Sequence, residues 1–136
     1  MKMLLTKKFT FEMAHALPGY EGKCANLHGH SYHLEVTVEG LECDEDGMVL
    51  DFHKIKELVQ QAIITPFDHA LVLQEGSPLT ANRTALPNLI EVPFAPTTER
   101  LLIHFASLLT PLMPQGTRLH SLQLAETETS VAKLIL

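Results

Sequence analysis

The chain has 136 residues, which is enough for one domain with one modest hydrophobic core. Apolar residues make up 46% and charged residues 19% of the sequence, a composition that excludes disordered and collagen-like proteins. The formal net charge is −6 and no stripe of lysine and arginine occurs, so nucleic acid is not expected as a direct ligand.

No stretch approaches the roughly 20 apolar residues that a membrane span requires. Lys7 and Lys8 follow the start too closely to leave room for the apolar region of a signal peptide. We therefore expect a cytoplasmic protein in which Cys24 and Cys43 are reduced thiols. Eight histidines, beside two tyrosines and no tryptophan, favour a metal site or an acid–base site.

The first half of the chain predicts two strands, a short return strand and a helix. Apolar and polar residues alternate over residues 5 to 15 and again over 28 to 39, which indicates two strands with one buried face each. Met48–Leu50 is predicted to be a short return strand. A helix is then expected to be capped by Asp51 and ended by Pro66.

The second half predicts one more helix and two closing strands. Residues 68 to 95 are broken by glycine and proline and give no clear element. The helix begins at Pro96-Thr97 and ends before Pro111, and the strands cover about 118 to 126 and 130 to 135.

The order strand, strand, helix, helix, strand, strand predicts an α+β fold over the single domain 1–136. The expected architecture is an antiparallel four-stranded sheet with both helices on one face. Such a sheet has open edges, which favour self-association that continues the sheet between subunits.

Three histidines are candidate metal ligands. His28 and His30 are two residues apart on a predicted strand, so their side chains point the same way. His15 ends the apolar face of the first strand. If the two strands are neighbours, three imidazoles converge with a fourth position left open, as in catalytic zinc sites. The alternative is that these are polar residues at the rim of the core.

Cys24 lies in the loop that leads to His28. Lys23 and a nearby metal ion would both favour its thiolate, which is the reactive form. The alternative is a buried and inert cysteine, the usual fate of a lone thiol. Cys43 lies in an acidic turn and is assigned no role.

Two further positions carry groups that could act on a ligand. Asp68 and His69 are adjacent and form a proton relay if a carboxylate or a carbonyl fixes the imidazole tautomer. Glu126 has the parity of Leu122 and Leu124, so an apolar strand face ends in a carboxylate. It either reaches solvent there or accepts paired N–H donors from a ligand.

Six segments in this order resemble those of a known family: Phe9–His15, Cys24–Tyr32, Gly47–Phe52, Asp68-His69, Pro96–Glu99 and Glu126-Thr127. The family is that of the 6-pyruvoyl-tetrahydropterin synthases. Within it, the cysteine spacing looks most like the 6-carboxy-tetrahydropterin synthases of queuosine biosynthesis. The match extends over nearly the whole chain.

The resemblance implies a tunnelling fold, in which subunits join their sheets into trimeric barrels that stack as a homohexamer. It implies zinc bound by His15, His28 and His30. It also implies a small-molecule pterin substrate and no nucleic-acid or membrane partner.

By the same resemblance, Cys24 is the general base, Asp68 and His69 transfer protons, and Glu126 binds the amino-pyrimidine edge of the pterin. The implied activity is a zinc-dependent lyase that converts 7,8-dihydroneopterin triphosphate to 6-carboxy-5,6,7,8-tetrahydropterin, releasing acetaldehyde and triphosphate. One alternative is a 6-pyruvoyl-tetrahydropterin synthase or a paralogue acting on a related pterin. Another is a non-catalytic protein that uses zinc for assembly.

Overall fold

A computed structural model describes residues 1–17, 19, 22 and 25–136, apart from the side chain of Asn82. Six strands form one sheet in the order β4-β3-β1-β2-β5-β6. They are β1 (Met3–His15), β2 (His28–Gly40), β3 (Ala70–Gln74), β4 (Leu89–Val92), β5 (Thr117–Thr127) and β6 (Ser130–Ile135).

The four strands expected from alternation are adjacent and antiparallel. β1 pairs with β2 along its whole length, β2 pairs with β5, and β5 pairs with β6. The prediction of a four-stranded antiparallel sheet is nevertheless wrong, because β3 and β4 extend it on the other side of β1 as parallel strands. These two strands have five and four residues, too few to show a clear alternation in a segment that glycine and proline interrupt.

The expected return strand Met48–Leu50 is also wrong. These residues follow a turn in which the Asp44 carboxylate accepts a hydrogen bond from the Met48 N–H at 3.0 Å. The Asp44 N–H in turn donates to the Met48 carbonyl at 2.8 Å, and Gly47 has a φ of +81°. The local side-chain hydrogen bonds of an aspartate thus replace strand pairing.

The first helical region begins where it was expected. α1 (Phe52–Val59) is continued by a π-helical segment, Gln60–Ile64, and by a last turn, α2 (Thr65–Phe67). The Asp51 carboxylate accepts from the His53 N–H at 2.8 Å and so caps α1. Pro66 does not end the region, because it occupies one of the first positions of its last turn, where a proline is tolerated.

The second helix, α3 (Thr98–Leu109), is capped by the Thr97 hydroxyl and packs against β5 and β6. Its apolar side chains join those of the first helical region and of one face of the sheet in a single core. The predicted α+β class with two helices is therefore confirmed. No helix in the described part of the chain combines the length and the apolar character that crossing a bilayer requires.

The opposite face of the sheet is polar. Side chains such as Glu12 on β1 and Ser31 and His33 on β2 are exposed there. We call this the outer face, in contrast to the helix-covered face that contains the core.

Candidate active site

Three histidines meet where β1 ends and β2 begins. His15 is paired with His28 across the two strands, and His30 follows two residues later on the same side. One ring nitrogen from each lies within 4.8 Å of the others, and His15 is only 1% exposed. The convergence expected from strand parity is therefore present, and the group could hold a metal ion.

The rings of His15 and His28 are oriented by backbone carbonyls. The Nδ1 atom of His15 lies 2.8 Å from the Pro96 oxygen, and that of His28 lies 2.6 Å from the Asn26 oxygen. A carbonyl only accepts, so each Nδ1 carries the hydrogen and each Nε2 presents a lone pair. Burial is the main cause that lowers the pKa of His15, which favours the neutral ring.

These lone pairs point at one another. The Nε2 atoms of His15 and His28 are 3.0 Å apart. The Nε2 atom of His30 is buried and makes no hydrogen bond within the described part of the chain. Three imidazole nitrogens that converge, two of them on rings fixed by carbonyls at Nδ1, fit a Zn²⁺ ion.

Glu126 lies against this cluster. Its Oε1 atom is 3.4 Å from His15 Nε2 and 3.2 Å from His30 Nε2, and its side chain is 26% exposed. Glu126 shares its strand parity with the buried Leu122 and Leu124, so its side chain faces the side of the sheet on which the histidines lie, and the pairing of β5 with β6 is irregular at this point, between Ala125 and Thr127.

The same carboxylate also borders open space. Glu126 lines a cavity of about 300 Å³ together with Thr98, Glu99 and residues 129–132. Its position between the histidines and this cavity would let it contact a ligand that also reaches the metal site. The alternative raised by its strand position was that Glu126 simply reaches solvent. That alternative does not explain its contact with two histidines.

Asp68 and His69 form the pair expected of a relay. The Asp68 Oδ1 atom lies 3.1 Å from His69 Nδ1 and accepts from the Glu12 N–H at 2.9 Å. The Glu12 N–H, followed by the His69 ring, holds the pKa of Asp68 below its usual range. An ionised Asp68 can therefore accept a hydrogen bond from the Nδ1–H of His69, which leaves Nε2 as the proton-accepting atom.

The backbone holds His69 in an uncommon conformation. Its φ of +63° makes it the one non-glycine residue with positive φ in the part of the chain that the structure describes. The His69 N–H donates to the Glu12 carbonyl at 2.6 Å. The ring is 73% exposed, as a group that must reach a ligand requires.

Within one chain, His69 and the histidine cluster project on different sides of β1 and β2. His69 lines a cavity of about 310 Å³ on the outer face together with Glu12, Ala14, Ser31 and, from the cluster, His30. The metal-ligand candidates point to the other side of the same strands, because side chains alternate along β1 and β2.

Comparison with known proteins identifies the scaffold. Residues 4–135 match the family model of 6-pyruvoyl tetrahydropterin synthase. The chain belongs to this family. Among curated family members, 6-carboxy-5,6,7,8-tetrahydropterin synthase of Haemophilus influenzae is 35% identical over 105 residues, covering 71% of this chain and 74% of that protein. The Rickettsia typhi protein of the same name is 32% identical over 128 residues, covering 90% and 93% of the two chains.

Solved structures agree on the fold. The 6-pyruvoyl tetrahydropterin synthase of Caenorhabditis elegans is 22% identical, covers 100% of this chain and 96% of its own, and superposes with a TM-score of 0.75. An uncharacterised protein of Wolinella succinogenes is 21% identical, with coverages of 99% and 98% and a TM-score of 0.80. The chain thus has the pterin synthase fold, as the resemblance implied.

Tyr32 is a feature of this pterin synthase site to which the sequence assigned no role. It is fully buried, its ring centre lies 5.5 Å from that of His30, and its hydroxyl makes no hydrogen bond in the described part of the chain. Burial is the main cause that raises the pKa of Tyr32, so the phenol stays protonated. The signal available in the sequence was its parity, which it shares with His30.

The structure describes only one of the two cysteines. Cys24, the expected general base, lies outside the described residues. Cys43 is an exposed free thiol in the turn after β2. His33 is exposed on the outer face, on the other side of β2 from His28 and His30.

Proposed function

We propose that this pterin synthase family member is a zinc-dependent lyase. It converts 7,8-dihydroneopterin triphosphate to 6-carboxy-5,6,7,8-tetrahydropterin and releases acetaldehyde and triphosphate, a step of queuosine biosynthesis in the cytoplasm. The observation that carries the proposal is the convergence of three histidine Nε2 atoms, two of them with Nδ1 bonded to a carbonyl. The names of the Haemophilus and Rickettsia relatives support the carboxy product.

His15, His28 and His30 would hold the zinc ion. A zinc ion held there would supply Lewis-acid chemistry toward oxygen atoms of the substrate side chain. The protein contributes rigidity: the Pro96 and Asn26 carbonyls keep two rings in the tautomer that presents Nε2. No protein group in the described residues besides Glu126 is at ion-pair distance from these Nε2 atoms.

Glu126 would bind the pterin. The amino-pyrimidine edge of a pterin offers an exocyclic amine and a ring N–H side by side, which one carboxylate accepts together. The cavity beside Glu126 provides room for the ring, and Glu99 lines the same cavity. This arrangement would orient the substrate side chain toward the histidine cluster.

Cys24, Asp68 and His69 would move the protons. A Cys24 thiolate would remove a carbon-bound proton, and His69 would deliver one from Nε2 while its Nδ1–H stays hydrogen-bonded to the ionised Asp68. The hydrogen bond from the Glu12 N–H keeps Asp68 ionised for that purpose.

We also propose a homohexamer built as a dimer of trimers. The outer-face position of His69 supports it, because this ring projects away from the side of the sheet on which the histidine cluster of its own chain converges. The edge strands β4 and β6 offer unpaired backbone for sheet continuation between chains. Sedimentation should give about 91 kDa, six copies of the 15.1 kDa chain. An active monomer would contradict the assembly.

Product analysis tests the activity. Incubating the zinc-loaded protein with 7,8-dihydroneopterin triphosphate should yield 6-carboxy-tetrahydropterin and acetaldehyde by mass spectrometry. Triphosphate release with a 6-pyruvoyl product, and without acetaldehyde, would favour the 6-pyruvoyl alternative. Loss of structure on chelation without turnover of any pterin would favour a non-catalytic zinc assembly protein.

A further inference from the structure

Glu12 holds the relay residues through its backbone. Its N–H donates to Asp68 Oδ1 at 2.9 Å, and its carbonyl accepts from the His69 N–H at 2.6 Å. The position of Glu12 relative to His69 is therefore fixed by two hydrogen bonds that do not involve the Glu12 side chain.

The Glu12 side chain points the other way, onto the outer face of the sheet. Glu12 and Ser31 are direct partners across β1 and β2, and the Ser31 hydroxyl donates to Glu12 Oε2 at 2.8 Å. No other hydrogen bond or ion pair to this carboxylate occurs among the described residues. A carboxylate offers about four lone-pair sites, so most of its accepting capacity is free.

Glu12, Ser31 and His69 line one cavity of about 310 Å³. The rest of the lining includes His30 and two small residues, Ala14 and Gly29, which leave space on the sheet surface. Among the described residues no lysine or arginine lines this cavity, so no described cation offsets the Glu12 charge for a phosphate group there. A neutral group with hydroxyl hydrogens fits the free acceptors best.

We infer that Glu12 and Ser31 form a hydroxyl-binding subsite beside His69 that takes the hydroxylated side chain of the substrate. The inference rests on the proposed function and its shared sites, in which this cavity of one chain would face the histidine cluster of another. It concerns only the side-chain hydroxyls, and the triphosphate would extend out of this cavity. Glu12 accepts a hydrogen bond from a side-chain hydroxyl and orients the side chain for proton delivery by His69. No bond is made or broken at Glu12.

Two pterins that differ in their side-chain hydroxyls test this role. Biopterin carries a dihydroxypropyl group, whereas 6-methylpterin has the same ring and no hydroxyl. In the zinc-loaded full-length protein, Glu12→Gln should weaken biopterin binding about tenfold or more in a direct titration. It should leave 6-methylpterin affinity within about twofold. Ser31→Ala should act in the same direction with a smaller effect.

Glu35→Gln is the matched control. Glu35 lies on the same face of β2, four residues from Ser31, and is bonded to Gln123 outside this cavity. It should change neither affinity. The melting temperature of each variant reports folding, which Glu12→Gln should preserve because the backbone hydrogen bonds of Glu12 remain.

The outcomes are distinct. If Glu12→Gln weakened the binding of biopterin and of 6-methylpterin equally, Glu12 would have only a structural role, and the proposed subsite would be overturned. Unchanged biopterin affinity in this variant would overturn it as well. If the wild-type protein binds neither pterin and turns over no dihydroneopterin triphosphate, the proposed function itself fails, and the ligand assigned to this subsite fails with it.

Discussion

The Nε2 atoms of His15 and His28 lie 3.0 Å apart, although the Nδ1 atom of each ring is already at hydrogen-bond distance from a backbone carbonyl. Two lone pairs at this separation repel each other unless a proton or a metal ion lies between them. The backbone therefore arranges both rings to share a cation, and His30 adds a third buried nitrogen without a hydrogen bond in the described part of the chain.

Zinc content should depend on each of these three rings. His28→Ala removes one of three ligands, so we expect it to lose most of the metal that the wild-type protein retains after dialysis, as measured by elemental analysis. His33→Ala is the control, since His33 is exposed on the outer face and should keep one zinc per chain. Full zinc occupancy in His28→Ala would disprove the ligand assignment.

Turnover should depend on Cys24 and not on Cys43. Cys24→Ala should keep zinc and fold but lose roughly 10²–10⁴ in rate, the usual contribution of a general base. Cys43→Ala should have near-wild-type activity, because this thiol lies exposed in a turn. A Cys24→Ala protein that works at the wild-type rate would place the base elsewhere.

His69→Ala should also lose turnover while binding zinc normally. If the site is shared between chains, mixing denatured His69→Ala and Cys24→Ala proteins and refolding them together should recover part of the activity. Some sites then combine an intact Cys24 from one chain with an intact His69 from another. Steady-state rates of the mixture measure this, and a mixture as inactive as its components would argue that both residues must come from one chain.

Glu126→Gln should weaken pterin binding by at least about tenfold, or 1.4 kcal/mol. The change keeps the shape but turns one acceptor oxygen into a donor, which leaves a pterin N–H unpaired. Zinc should be retained, because the three histidines remain. Direct titration of biopterin or sepiapterin measures the effect. Equal affinities in both proteins would remove Glu126 from the pterin site.

His104 should contribute to acid sensitivity. Burial beside Phe67 and Phe94 lowers the pKa of His104 from its usual 6.5. Because the folded pKa is depressed, the unfolded chain takes up the proton first, and stability falls as pH drops below about 6.5. His104→Phe should lose less stability than the wild type between pH 7.5 and 5.5 in denaturant titrations at equal zinc content. Identical pH dependence in the two proteins would contradict this.

The sequence by itself determined the elements whose signal is local. Alternation along β1 and β2 put His28 and His30 on one side and His15 at the end of an apolar face. Side-chain direction in a strand repeats every two residues, so these relations are set within a few positions of each other. The same holds for the Asp51 and Thr97 caps, each of which accepts from a backbone N–H two or three residues away.

Only the tertiary structure decided the contacts between distant segments. The Glu12–Asp68 hydrogen bond spans 56 positions and the His15–Pro96 contact spans 81. The residues around one member of each pair do not indicate the other member, because such contacts depend on which strands pair and in what register. Strand pairing also put His69 in an outer-face cavity, and it brought Glu126, whose side of the sheet follows from its parity, within 3.4 Å of His15 and 3.2 Å of His30. These contacts result from packing of the whole chain, which short-range periodicity does not encode.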